Sequence, residues 1–247
     1  MTGLTLEPLG AHGAVYGPAG GATGLPAVVV LHGGEGPMAG WSHRFAAILA
    51  AHGFLALPLG YGTGDFFAAG PIRAVDLAAV PAAGRALAAH PRAARVGLFG
   101  WSKGGEAALL AASLDPDTPF AAVAAHAAPD RVTGAFDPDA LRRGDRWLLD
   151  APTDPRAWVW QGRDAPLAPG TAIPVEAAPM PLFLSVGTAD EIWPAAQTLG
   201  MAERLAAAGR PAELLVGEGQ GHAYDFTTEP QLWARLCGFF GQHLGHG

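Results

Sequence analysis

Cysteine is almost missing from this chain of 247 residues: Cys237 is the only one. A lone thiol forms no intramolecular disulfide and builds no multi-cysteine metal site, so the fold must rest on a packed core, and a reducing compartment suits it. Charge is sparse too. Only 15% of the residues are Asp, Glu, Lys or Arg against 50% hydrophobic, which excludes a disordered or charge-extended chain. No basic tract occurs, and the net charge is −7, from 15 basic and 22 acidic residues. Nucleic acid is therefore not an expected partner, because that binding needs Lys and Arg to neutralise phosphates. Nothing steers the chain to an anionic membrane either. Long apolar runs are lacking: "LPAVVVL" at 25–31 is far shorter than the roughly 20 residues that span a bilayer. The opening "MTGLTLEPLGAHGAVYG" has no basic segment followed by an apolar core, so no signal peptide is read there and a soluble cytoplasmic protein is expected.

What the chain does have is alternation. Short apolar runs bounded by turn residues lie at about 26–32, 54–60, 95–100, 120–126, 181–187 and 212–219. Between them stand longer stretches with helical spacing, at about 41–51, 71–90, 103–114, 194–209 and 229–243. Strands alternating with helices of that length predict an α/β fold, with a mainly parallel sheet covered on both faces. The length suits one domain over 1–247, and an extra hairpin is read around 5–17. Region 128–180, rich in Pro, Asp, Arg and Trp, interrupts the alternation. It reads as a lid-like insertion over a site, or else as a cover for a sheet edge. Trp158 and Trp160 within it are candidate substrate-binding residues.

The stretch "GLFGWSKGGEAALLAAS" at 97–113 sets Ser102 between an apolar strand and an Ala-rich helix. A nucleophile elbow has this form: the serine backbone is strained, and bulky side chains two residues away on either side would clash in so sharp a turn. Gly100 and Gly104 remove that clash. The alternative is a small polar residue in a Gly-rich loop, so partners decide. A serine hydroxyl needs a base, and the base needs an orienting acid. "PLFLSVGTADEIWP" puts Asp190 just after one predicted strand, and "AELLVGEGQGHAYDF" puts His222 just after the next. Both positions lie at carboxyl ends of strands, where open parallel sheets bind ligands. Glu191 and Asp225 are rival acids. Oxyanion donors would be the amide of Lys103 and, from "LHGGEGP", that of Gly34, with Glu35 as the alternative. His32 has no second ligand at metal spacing beside it, and a structural role is expected. Lys103 and Glu106, three apart on a helix, form an ordinary pair.

These residues resemble the α/β-hydrolase superfamily. Within it, "AAHPRAARVGLFGWSKGGEAALLAASL", "WVWQGRDAPLAPGTAIPVEAAPMPLFLSVGTADEIWP" and "GEGQGHAYDF" are similar to the elbow, acid loop and histidine loop of the hydrolase domain in the acyl-CoA thioesterase and bile acid-CoA:amino acid N-acyltransferase family. The resemblance covers about residues 25–225. It implies Ser102 as nucleophile, Asp190 as acid and His222 as base. The "LHGGEGP" loop is closer to general esterases and dienelactone hydrolases. The expected activity is cleavage of a small-molecule carboxylic ester or thioester through an acyl-enzyme, with no metal and no cofactor. A dienelactone-hydrolase-like enzyme, an acyltransferase and an inactive binding module stay open as alternatives, as does a homodimer.

Overall fold

The computed structural model describes residues 3–62, 70–136, 156–162 and 167–245. A hairpin of β1 (Leu4–Pro8) and β2 (Ala14–Pro18) leads into β3 (Leu25–Leu31), α1 (Trp41–Ala51) and β4 (Leu55–Leu59). The short β5 (Val75–Asp76), α2 (Ala79–Ala88), β6 (Ala93–Trp101), α3 (Lys103–Leu114) and β7 (Phe120–His126) follow. The chain ends with β8 (Trp158–Val159), β9 (Leu182–Gly187), α4 (Ala195–Ala207), β10 (Glu213–Gly217) and α5 (Glu229–Leu244). One sheet of eight strands runs in the order β1-β2-β4-β3-β6-β7-β9-β10. Its two hairpin-side pairings are antiparallel and the others parallel, as the alternation predicts.

Strand alternation divides the core into two layers. Along β3, Ala27, Val29 and Leu31 face one side with Val80 and Leu87 of α2, the alanines of α3, and Met201 and Leu205 of α4. Val28 and Val30 face the other, with Phe45 and Leu49 of α1 and Trp233, Leu236 and Phe240 of α5. Every residue of β3 is buried, as in a central parallel strand covered on both faces.

One element differs from the sequence reading. The helix expected from 71 begins only at Ala79. Residues before it pair with the insertion instead: Ile72 bridges Phe136, and β5 runs parallel to β8. Asp76 then accepts the amides of Ala78 and Gln161 through Oδ1, both at 3.0 Å, which joins the helix entry to the insertion. Of the lid expected at 128–180, residues 137–155, with Trp147, and 163–166 lie outside the described residues.

The sheet order also locates the site. From β3 the chain moves outward to β4, then returns past β3 to β6 on its other side. Ligands in open α/β sheets bind at carboxyl ends beside such a reversal. The loop after β3 carries Gly33 and Gly34, and β6 ends at Trp101, next to Ser102.

Candidate active site

Ser102 adopts φ 56° and ψ −121° at the junction of β6 and α3. A positive φ on a non-glycine residue is strained, and surrounding structure must hold it. Here its amide donates to the His126 carbonyl at 2.9 Å, and its carbonyl accepts the Glu106 amide at 3.0 Å. The flanking glycines are required as expected. A Cβ on Gly100 would stand 2.0 Å from the Gly104 carbonyl oxygen, and one on Gly104 would stand 2.3 Å from that of His32.

The candidate acid and base are brought together by backbone contact between their loops. Thr188 N–H donates to the Gly217 carbonyl at 2.9 Å, and Ala189 N–H to that of Gln220 at 2.8 Å. Gly187 permits the approach, since a Cβ there would lie 2.1 Å from the Gln220 carbonyl oxygen. Asp190 and His222 then meet: Nδ1 of the imidazole lies 2.9 Å from Oδ2 and 3.1 Å from Oδ1. The Asp190 side chain is fully buried, and its Oδ1 also accepts the amides of Ile192 (2.8 Å) and Trp193 (3.0 Å). A buried carboxylate with these donors favours Nδ1–H as the imidazole donor and Nε2 as the acceptor nitrogen.

Trp193 links the Asp190 loop to Ser102, donating Nε1–H to Ser102 Oγ at 3.3 Å. The His222 ring packs near that of Trp101, with centroids 5.9 Å apart. Among the described residues no hydrogen bond joins Ser102 Oγ directly to His222; Trp193 touches the first and Trp101 the second. Below them, His126 is buried, with Nδ1 2.8 Å from Ser185 Oγ, and burial pulls its pKa down to about 3.

The rival acids take other positions. Glu191 is exposed. Asp225 braces the turn before α5: Oδ1 accepts Thr227 N–H (2.8 Å), Thr227 Oγ–H (2.6 Å) and Thr228 N–H (2.9 Å), while Oδ2 accepts Gln220 Nε2–H (3.1 Å). Hydrogen bonds from Thr227 and Gln220 hold its carboxyl far below the usual range.

Of the expected oxyanion donors, Lys103 opens α3 and sets its amide at the positive end of the helix. Glu35 folds back so that Oε1 accepts the Gly33 amide at 2.9 Å, and burial raises its pKa. That occupies Gly33 N–H, whereas Gly34 N–H has no partner among the described residues. His32 has the structural place expected for it. Its ring stacks on Tyr61 with centroids 4.0 Å apart, Nε2 accepts Gly62 N–H at 3.1 Å, Nδ1 donates to the Gly33 carbonyl at 2.7 Å, and burial pulls its pKa to about 4.

The substrate-binding assignment of Trp158 is corrected. Its side chain is entirely buried, and Nε1–H donates to Glu106 Oε1 at 2.7 Å, which leaves no face for a substrate. Trp160 is likewise a core residue, 8% exposed. Sequence spacing missed the reach of Glu106, whose partners in the insertion lie 27 and 52 residues away. Beside the His222 loop, a cavity of about 200 Å³ is walled by Trp41, Phe45, Trp101, Tyr224 and Trp233. A larger one, about 470 Å³, opens at the amino ends of β9 and β10, remote from this chemistry. Among the described residues no cluster of His, Cys, Asp and Glu is suited to a metal ion, and no helix is long and apolar enough to cross a membrane.

The family model described as the prolyl oligopeptidase family matches residues 75–247. Similar solved structures include a puromycin-hydrolysing peptidase of Mycobacterium tuberculosis, 20% identical, covering all of this chain and 40% of that one, with a TM-score of 0.69. An esterase of Pyrococcus furiosus is 16% identical, with 99% and 94% of the two chains covered and a TM-score of 0.65. A dienelactone hydrolase-like promiscuous phosphotriesterase from metagenomic libraries is 17% identical over 98% of both chains, with a TM-score of 0.61. The chain thus spans well under half of the peptidase and nearly the whole of the other two. No curated protein matches it in sequence.

Proposed function

The chain belongs to the prolyl oligopeptidase family, within the α/β-hydrolase superfamily, and from that premise we propose a serine hydrolase that cleaves a carboxylic ester or thioester by way of an acyl-enzyme. The observation that carries this reading is the buried Asp190 carboxylate 2.9 Å from His222 Nδ1, in a loop whose Trp193 reaches the strained Ser102. In the reaction His222 Nε2 takes the Ser102 proton as Oγ attacks the carbonyl carbon. Amides of Lys103 and Gly34 receive the oxyanion as the tetrahedral intermediate forms. Collapse expels the alcohol or thiol, which takes its proton from His222. Water then repeats the sequence against the acyl-enzyme, releasing the acid and restoring Ser102. The apo constellation needs the His222 ring to close on Oγ when substrate binds, as catalytic hydrogen bonds commonly tighten only in that complex.

The family match favours one second reading, cleavage of a peptide or aryl amide by the same residues. A panel of p-nitrophenyl acetate, a long-chain acyl-CoA, a dienelactone and a peptidyl p-nitroanilide separates the substrate classes. Turnover of at least one ester or thioester, lost in Ser102→Ala, is expected. Turnover of the anilide alone would replace the first reading with the second, and turnover that survives Ser102→Ala would remove both.

A further inference from the structure

Lys103 is the single lysine of the chain; the other 14 basic residues are arginines. It follows the nucleophile directly, yet its side chain is 1% exposed, and that of its partner Glu106 is fully buried. Lys103 Nζ donates to Glu106 Oε2 at 2.9 Å, to Thr133 Oγ1, and to the Gly134 carbonyl at 3.3 Å, and it stands 4.9 Å over the Trp158 ring. These three bonds use the three protons of an ammonium. Glu106 is equally saturated. Its Oε1 accepts Thr133 N–H and Trp158 Nε1–H, both at 2.7 Å, and Oε2 accepts Thr133 Oγ–H at 2.7 Å as well as the lysine. A buried ion pair is a poor means of stabilisation, since desolvation offsets its attraction. What such a pair does supply is a fixed geometry.

The segment it fixes leads to the oxyanion loop. Residues 131–136 are bridged to the rest of the fold at Arg131 with Ala172, Gly134 with Arg156, and Phe136 with Ile72. Phe136 ends this segment with its ring against Gly34, where an added Cβ would meet Cε1 at 2.6 Å. One donor of the oxyanion pair is the amide of Lys103, and the other is the amide of Gly34. We propose that Glu106 is the positioning residue of the oxyanion hole: it ties the helix that bears the Lys103 amide to the insertion segment that presses Phe136 on Gly34, and so sets the two amides relative to one another.

This inference rests on the hydrolase reading, and its test has one arm that needs no activity. Thr133→Val removes the hydroxyl bond to Glu106 at nearly unchanged size, and Trp158→Phe removes the indole bond with a smaller ring; Glu106→Gln removes the charge. For p-nitrophenyl acetate, each variant is expected to lose about tenfold or more in kcat/KM through kcat, as misplacement of catalytic groups produces. KM should stay within about twofold, and the Ki of a trifluoromethyl ketone, which forms the oxyanion, should rise in parallel with the loss. In the second arm, acetylation of Lys103 by an N-hydroxysuccinimide ester, read by peptide mass, and amide exchange in 32–37 should increase together with exchange in 131–136. If Glu106→Gln does not fold, the two milder variants decide. Folded variants with unchanged kcat and Ki, a rise in KM alone, or exchange in 131–136 that leaves 32–37 protected would each overturn the proposal. A wild-type protein without turnover would defeat the hydrolase reading, while the exchange arm would still judge the coupling.

Discussion

A carboxylate can hold a histidine or brace a turn according to which donors reach it, and Asp190 and Asp225 divide on that point. Asp190 is buried and shares its oxygens between His222 and two backbone amides, whereas Asp225 is exposed and spends its oxygens on Gln220, Thr227 and Thr228. Asp190→Asn should therefore cost about 10³–10⁴-fold in kcat by favouring the wrong imidazole tautomer, as in the serine protease triad. Asp225→Asn should leave kcat within about twofold and lower Tm. Steady-state kinetics and thermal melts on the two variants check this, and reversed kinetic effects would reassign the acid. Sequence placed Asp190 at a strand end but could not exclude Asp225, because only the fold shows where each side chain finds its donors.

At the scale of elements, the site depends on loops that touch through their backbones. The elbow was legible because a glycine two residues to either side of Ser102, between a strand and a helix, has a steric reason that needs no distant partner. Gly104→Ala would drive a Cβ to 2.3 Å from the His32 carbonyl oxygen, so it should destabilise by about 1–3 kcal/mol and reduce activity together. Gly187→Ala differs in kind. Its Cβ would push on the carbonyls of Gln220 and Gly221, at 2.1 and 2.4 Å, and so displace the loop that carries His222. Its loss of kcat should exceed what the change in urea midpoint explains; equal losses would show that the loop spacing does not govern catalysis. The delayed start of α2 and the pairing of β5 with β8 were not legible. Both depend on contacts of residues 72–76 with Phe136, Trp158 and Val159, far apart in sequence, and local helical spacing outvotes them until the chain is folded. The roles of Trp158 and Glu106 were hidden for the same reason.

Across the whole molecule, two histidines are buried near the sheet edge that carries the site, and their burial couples the fold to pH. The pKa falls to about 3 for His126 and about 4 for His32, against 6.5 for an unperturbed histidine. Between about pH 6.5 and 4 the unfolded chain binds a proton at each position that the folded one refuses, so stability is full above this window and falls as pH drops through it. Each histidine contributes roughly 1.4 kcal/mol per pH unit there. The urea midpoint should be clearly lower at pH 5 than at pH 7.5, with a smaller difference in His126→Asn. A midpoint that does not fall would show that the ring is solvated. The same sheet edge gathers Gly34, Ser102, Asp190 and His222 from four separate loops, and the proposed chemistry requires them to act as one unit. The most direct measurement is reaction with a fluorophosphonate followed by peptide mass mapping. One phosphonyl group on Ser102, with labelling slowed at least about a hundredfold in His222→Ala, is the expected result. Absence of label, a label elsewhere, or equal labelling of Ser102→Ala would contradict the account.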